Sequence, residues 1–219
     1  MLFINIINMN NIINEIIDDI IGKIIYKNII ISTKYNIIQN NNSFLNTYSI
    51  IHFKVLIDKC IKDINDKIFN HPPIKFFGKI VNPKRNVGFF SNFSIGYNYS
   101  NQLLKSKKLT TNLEYLLNLI NYIFDTNFNG ILVNEYINGD NYICKHSDNE
   151  KNLDKEGVIA LSIGAIRKFR IRNKENNKII CDIPTIPYEI IQMGGDFQKI
   201  FTHEIPIQKK IKNSRISFT

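Results

Sequence analysis

The sequence predicts a mainly β domain of the α+β class, a barrel or jelly roll of short strands with helices packed outside it. Three observations predict it. From Phe128 onward, short apolar runs recur between Gly, Asn and Pro residues, as in an all-β sheet rather than in βαβ units. Ahead of them, the stretches 52–69 and 111–124 place apolar residues on one helical face. The chain has 219 residues, 44% hydrophobic and 21% charged, which is enough for one domain with a core of its own.

Residues 1–43 are expected to form a low-complexity extension. Ile pairs at 12–13, 16–17, 20–21 and 24–25 recur at nearly the helical period, with Asn14, Glu15, Asp18, Asp19 and Lys23 opposite. The opening apolar stretch is broken by Asn and lacks a basic leader, so neither a signal peptide nor a transmembrane segment is expected. Asn40–Ser43 is expected as the linker to a domain over 44–219. The first helix runs from His52 to Phe69 on the stripe Phe53, Leu56, Ile57, Cys60, Ile61, Ile64 and Ile68. His52 opens it, and His71 precedes the Pro72-Pro73 that ends it; both read as structural.

Residues 74–100 read as strands and loops: Ile74–Lys79, a basic turn at Asn82–Asn86, then dense aromatics from Phe89 to Ser100. Thr111-Asn-Leu-Glu114 is a capping-box pattern opening a second helix, with Leu113, Leu116, Leu117, Ile120, Ile123 and Phe124 on its core face. Seven strands are then expected, at 130–136, 158–163, 167–172, 178–183, 188–193, 197–203 and 215–219.

Ile, Asn and Lys are heavily used and Trp is absent, the bias of an AT-rich genome, and it weakens any reading from propensity alone. The net charge of +9 fits a polyanion partner, and the same bias toward Lys accounts for it equally well. Three cysteines with no Cys-x-x-Cys pair argue against a disulfide framework or a structural zinc site and point to an intracellular, reducing compartment, the nucleus or cytoplasm. A monomer is the default expectation, and no membrane partner is expected.

The chemistry is read from Asn134 to Glu150. His146 and Asp148 are two apart, so an extended strand sends both side chains to one face. His203 lies in a later strand-like run. Two His and one carboxylate on one face of an ion leave the opposite face open, the donor set of non-heme Fe(II) oxygenases. Arg215 follows, with a guanidinium suited to the carboxylate of a 2-oxo acid. Cys144 is expected to pack beside the site, on the face of His146.

Several short patterns fall in a familiar order: Asn134-x-Tyr136, His146-x-Asp148 followed by Asn149-Glu150, Met193 to Gln198, His203-Glu-Ile-Pro206, and Arg215-x-Ser217. Together, over roughly 45–219, they resemble the AlkB family of Fe(II)/2-oxoglutarate dioxygenases, most of all its animal members that repair duplex DNA. The resemblance implies a double-stranded β-helix (jelly-roll) core with flanking helices. It implies oxidative demethylation of N-alkylated bases such as 1-methyladenine and 3-methylcytosine in DNA, with Fe(II) as cofactor and 2-oxoglutarate and O2 as cosubstrates. Methylated RNA, a protein side chain, or a weakly active nucleic-acid-binding barrel are the alternatives.

By the same resemblance His146, Asp148 and His203 hold the metal, and Arg215, Ser217 and Thr219 with Tyr136 take the distal carboxylate of 2-oxoglutarate. Asn134 reaches the end that chelates the metal. Members usually carry a second arginine after Arg-x-Ser; this sequence stops at Thr219, so either that arginine lies beyond it or the contact is lacking, and in the second case weaker cosubstrate binding is expected. The segment 74–100 would recognise the nucleotide. Within it Tyr97, Asn98 and Tyr99 match the base pocket, although two tyrosines at strand spacing also suit a core. Asn149 stands where an acidic substrate contact is common. Phe77, Gly78 and Lys79 resemble a hairpin that fills the gap left by a flipped base, with Phe77 as the probe and Lys79, Lys84 and Arg85 near phosphates.

Overall fold

The computed structural model describes residues 35–40, 42–65, 67–68, 73–76, 79–99, 102–148 and 156–219. The first strands in chain order are β1 (Tyr35–Asn40), β2 (Ser43–Ser49), β3 (Ile74–Phe76), β4 (Lys79–Val81) and β5 (Asn86–Phe90). Next come β6 (Gly96–Tyr99), β7 (Gln102–Lys105), β8 (Ile131–Tyr136), β9 (Ile143–His146) and β10 (Val158–Gly164). The last are β11 (Lys168–Asn173), β12 (Ile179–Pro184), β13 (Glu189–Gly195), β14 (Phe201–Ile205) and β15 (Arg215–Phe218). The helices are α1 (Lys54–Ile64), α2 (Thr111–Phe124) and the single turn α3 (Phe197–Ile200).

Two antiparallel sheets make the core: a large one ordered β1-β2-β13-β10-β15-β8-β5 and a small one ordered β12-β11-β14-β9. This is the mainly β jelly roll expected. Alternation along the central strands assigns the two faces of the large sheet. Ile159, Leu161 and Ile163 of β10, Ile131 and Val133 of β8, and Phe218 of β15 pack with the helices. From α1 that layer receives Ile57, Cys60 and Ile64, and from α2 Leu113, Leu116, Leu117, Ile120 and Ile123. Their neighbours in sequence face the small sheet, where Tyr136, Val158, Ile191 and Met193 meet Phe169, Ile171, Ile183, Phe201 and Ile205. β10 is therefore covered on both sides, which is why its run from Val158 to Ile163 is buried throughout.

Several boundaries differ from expectation, each for a local reason. Asn40 and Ser43, the ends of the stretch expected as a linker, are paired across β1 and β2, and β2 continues onto β13, so among the described residues the large sheet begins at Tyr35. The Ile-pair helix expected before that lies outside the described residues. A 3-10 turn over Ile51–Phe53 puts the start of α1 at Lys54, just after His52. The cap of α2 is Thr110 rather than Thr111: Thr110 is extended and accepts from Leu113 N, while its hydroxyl donates to Asp63 of α1. Phe197 to Ile200 is helical rather than strand, because the chain must cross there from β13 in the large sheet to β14 in the small one.

Candidate active site

Register brings the candidate ligands together. β14 pairs with β9 so that His203 stands directly opposite His146, with ring centroids 4.2 Å apart. Asp148 lies past the end of β9 rather than on the strand, so strand alternation alone does not place its carboxylate at the site. The segment leaving β9 is fastened at two points. Asp148 N donates to Gln198 Oε1 at 3.0 Å, and Ser147 Oγ donates to Phe201 O at 3.0 Å. One carboxylate oxygen then stands 3.6 Å from His146 Nε2 and the other 3.5 Å from His203 Nε2.

The donor set fits a divalent ion. All three groups offer an atom within 4.8 Å of the others. Adjacent donors on an octahedral ion with bonds of roughly 2.1 Å are about 3 Å apart, so a small inward movement closes the site. Both rings present the correct nitrogen. His146 Nδ1 is 2.9 Å from Cys144 O; donating there leaves the lone pair on Nε2. Burial, reinforced by the nearby His146, pushes the His203 pKa well below the usual histidine range, so its imidazole is neutral. Phe169 stacks on it at 5.2 Å. Cys144 enters only through its backbone; it is exposed, contrary to the expected packing, and lies where the β9–β14 register is irregular, between Ile143 and His146.

The same cavity continues to Arg215, and is lined also by Tyr97, Asn134, Tyr136, Ser217 and Thr219. β15 pairs with β8 so that Arg215 is opposite Tyr136 and Ser217 opposite Asn134, all on the face turned to the small sheet. Gly164 ends β10 beside them with φ of +89°, and a Cβ there would run into Ser214 O, so glycine lets β15 start at this point. Arg215 is 2% exposed and lies over the Tyr136 ring at 5.3 Å. It donates to Ser162 Oγ at 2.8 Å, while its Nε has no partner. Burial is the main cause that lowers its pKa to about 10, and Arg167 adds to it. Among the described residues no carboxylate pairs with this guanidinium. A buried cation without a counter-ion is costly, and an anion entering the cavity would offset that cost.

Other expected residues fall as follows. Tyr97 and Asn98 line a larger cavity of about 500 Å³ that shares Tyr97, Leu132, Asp148 and Thr219 with the metal site. Tyr97 also packs on Phe89 at 5.7 Å, so it serves core and cavity together. Tyr99 continues β6. β3 and β4 pair with Phe76 opposite Lys79, the frame of the expected hairpin, while Phe77, Gly78 and Asn149 lie outside the described residues. Lys84 is exposed, but Arg85, expected at phosphates, is buried and donates from Nε to Asn134 Oδ1 at 2.8 Å.

The sequence marked Gln198 only as the end of the Met193–Gln198 pattern, and did not single out Ser162 or Arg167. Arg167 is 1% exposed and bonds the carbonyls of Asn138, Asn141 and Pro206 together with Gln208 Oε1. It thereby ties the loop leading into β9 to the segment leaving β14, the two strands that carry His146 and His203. Only the contrast of one buried arginine in an exposed basic run could have marked it, and that contrast is not visible in sequence.

A family model described as the 2OG-Fe(II) oxygenase superfamily matches residues 59–219. The human protein named DNA oxidative demethylase ALKBH2 is 25% identical over 154 residues, covering 67% of this chain and 59% of that protein. Its mouse counterpart is 23% identical over 184 residues, covering 78% of this chain and 77% of that protein. This chain thus spans about three fifths of the human relative's length. A solved structure titled "The structure of OsALKBH1" superposes with a TM-score of 0.56 at 10% identity, over 84% of this chain and 98% of that one, a likeness of fold.

Proposed function

The chain belongs to the 2OG-Fe(II) oxygenase superfamily and is of the AlkB kind, and on that premise we propose that it oxidatively demethylates N-alkylated bases in DNA. One observation carries the reading. His146, Asp148 and His203 converge in the same cavity as a buried Arg215 that has no counter-ion among the described residues. Bound there, Fe(II) supplies the coupling of 2-oxoglutarate decarboxylation to oxidation of a C–H bond by O2.

The residues divide the remaining work. His146, Asp148 and His203 would hold the ion at the wall of the cavity. Arg215, with Ser217, Thr219 and Tyr136 beside it, takes the distal carboxylate of 2-oxoglutarate. The 500 Å³ cavity next to Asp148 is of a size for one extruded base, with Tyr97 and Asn98 on its wall. Hydroxylation of an N-methyl group gives an adduct that releases formaldehyde and the unmodified base. The net charge of +9 suits a polyanionic substrate, and the relatives named above are DNA demethylases. Among the described residues no helix is long and apolar enough to cross a membrane.

The reading is tested by succinate formation with methylated DNA, methylated RNA and no nucleic acid. Stimulation by methylated DNA above both others supports it. Equal succinate in all three, or stimulation by RNA alone, overturns the DNA assignment. Phe77 is proposed as the side chain that fills the gap left by the flipped base. Unstacking a base costs a few kcal/mol, and an aromatic ring stacked in its place returns roughly 1–3 kcal/mol. Phe77→Ala is therefore expected to lower repair of duplex DNA about tenfold or more and to spare single-stranded DNA. Equal losses on both, with a lowered Tm, would make Phe77 a core residue.

A further inference from the structure

Arg85 is the second buried guanidinium in this cavity, and neither the metal ligands nor the Arg215 end of the site accounts for it. It is 4% exposed, and precedes β5, whose Val87 is opposite Asn134. Its Nε donates to Asn134 Oδ1 at 2.8 Å. A guanidinium has donors only, so the atom it meets on Asn134 must be the carbonyl oxygen. That settles which way the amide is turned. With Oδ1 engaged by Arg85, the remaining polar group of Asn134 is its NH2, and Asn134 lines the cavity that holds His146, Asp148 and His203.

The two guanidiniums also mark the two ends of a ligand. Arg85 is bonded to Asn134, whereas Arg215 lies over Tyr136, two residues further along β8. Two residues of a strand span about 7 Å, the scale of a five-carbon diacid laid along it. Resting on the dioxygenase reading above, we propose that Arg85 is a positioning and charge-complementing residue for the 2-oxo-acid end of the cosubstrate. It holds the Asn134 amide with its NH2 toward the metal-chelating carboxylate and adds a positive charge there, as Arg215 does at the distal carboxylate. The cavity is thus matched to a dianion by one arginine at each end.

The test is calorimetric binding to the Mn(II)-loaded protein, using 2-oxoglutarate and also 2-oxobutyrate, which lacks the distal carboxylate. Arg85→Ala is expected to weaken both ligands by tenfold or more and by a similar factor. Arg215→Ala is expected to weaken 2-oxoglutarate alone. On an Asn134→Ala background the Arg85→Ala effect should shrink, since the two side chains act through one amide. Arg85→Gln keeps a donor for Asn134 Oδ1 and serves if Arg85→Ala fails to fold; it should bind more tightly than Arg85→Ala and more weakly than the parent. Binding of both ligands within twofold of the parent overturns the inference. So does a loss confined to 2-oxoglutarate, and so does a parallel loss of Mn(II) affinity, which would make Arg85 merely structural. If the unsubstituted protein itself binds no 2-oxoglutarate, the dioxygenase reading fails first.

Discussion

His203→Ala is expected to abolish stoichiometric metal binding and with it turnover, while the protein stays folded. The unsubstituted chain is expected to bind about one equivalent of Fe(II) or Mn(II) at the three grouped ligands, and His146→Ala and Asp148→Ala to behave as His203→Ala does. His203 is the most telling of the three positions. It is 5% exposed, it faces His146 across two strands, and burial keeps its imidazole neutral. Removing it leaves one histidine and one carboxylate near a loop, a set far too weak to compete for an ion. Metal titration by calorimetry or by Mn(II) electron paramagnetic resonance gives the stoichiometry directly. Full turnover by a protein lacking both His146 and His203 would place the metal elsewhere.

Arg215 gives the second large effect, and its sign differs between the free and the liganded protein. Losing the arginine leaves a carboxylate of 2-oxoglutarate buried and unpaired, which costs roughly 3–5 kcal/mol, on the order of a hundredfold to a thousandfold or more in affinity. Arg215→Met is therefore expected to raise the 2-oxoglutarate requirement by at least about a hundredfold, with little change in affinity for DNA. Without cosubstrate the same substitution should leave Tm unchanged or raise it. The guanidinium is buried with no counter-ion among the described residues and with Nε unbonded, and an apolar side chain of similar volume relieves that cost. Thermal melts with and without 2-oxoglutarate read both halves. An Arg215→Met protein that is stabilised by 2-oxoglutarate as the parent is would show that the carboxylate binds elsewhere.

Much of this site was legible because its parts obey short-range rules. Strand alternation put Asn134 with Tyr136 and Arg215 with Ser217 on one face, and each pair does share a face in β8 and β15. The stripes of α1 and α2 also appear as spaced, since a helix buries what its period lines up. What was not legible depends on partners distant in sequence. Arg85 reads as one more basic residue in a turn, and only the register of β5 on β8 turns it inward to Asn134. Thr110 displaces Thr111 as the cap because Asp63, 47 residues earlier, receives its hydroxyl. β1 was hidden by composition, because an Ile-rich run supports helix and strand alike when Ile is so common.

The most direct measurement of the central claim is the stoichiometry of products on one defined lesion. A DNA oligonucleotide with a single 1-methyladenine is incubated with the protein, Fe(II), 2-oxoglutarate and O2. Restored adenine is counted by mass spectrometry, alongside formaldehyde and lesion-dependent succinate. A single site that couples decarboxylation to demethylation yields the three in equal amounts, and yields none of them in His203→Ala. Succinate that forms without restored adenine, or adenine restored equally well by His203→Ala, would contradict it.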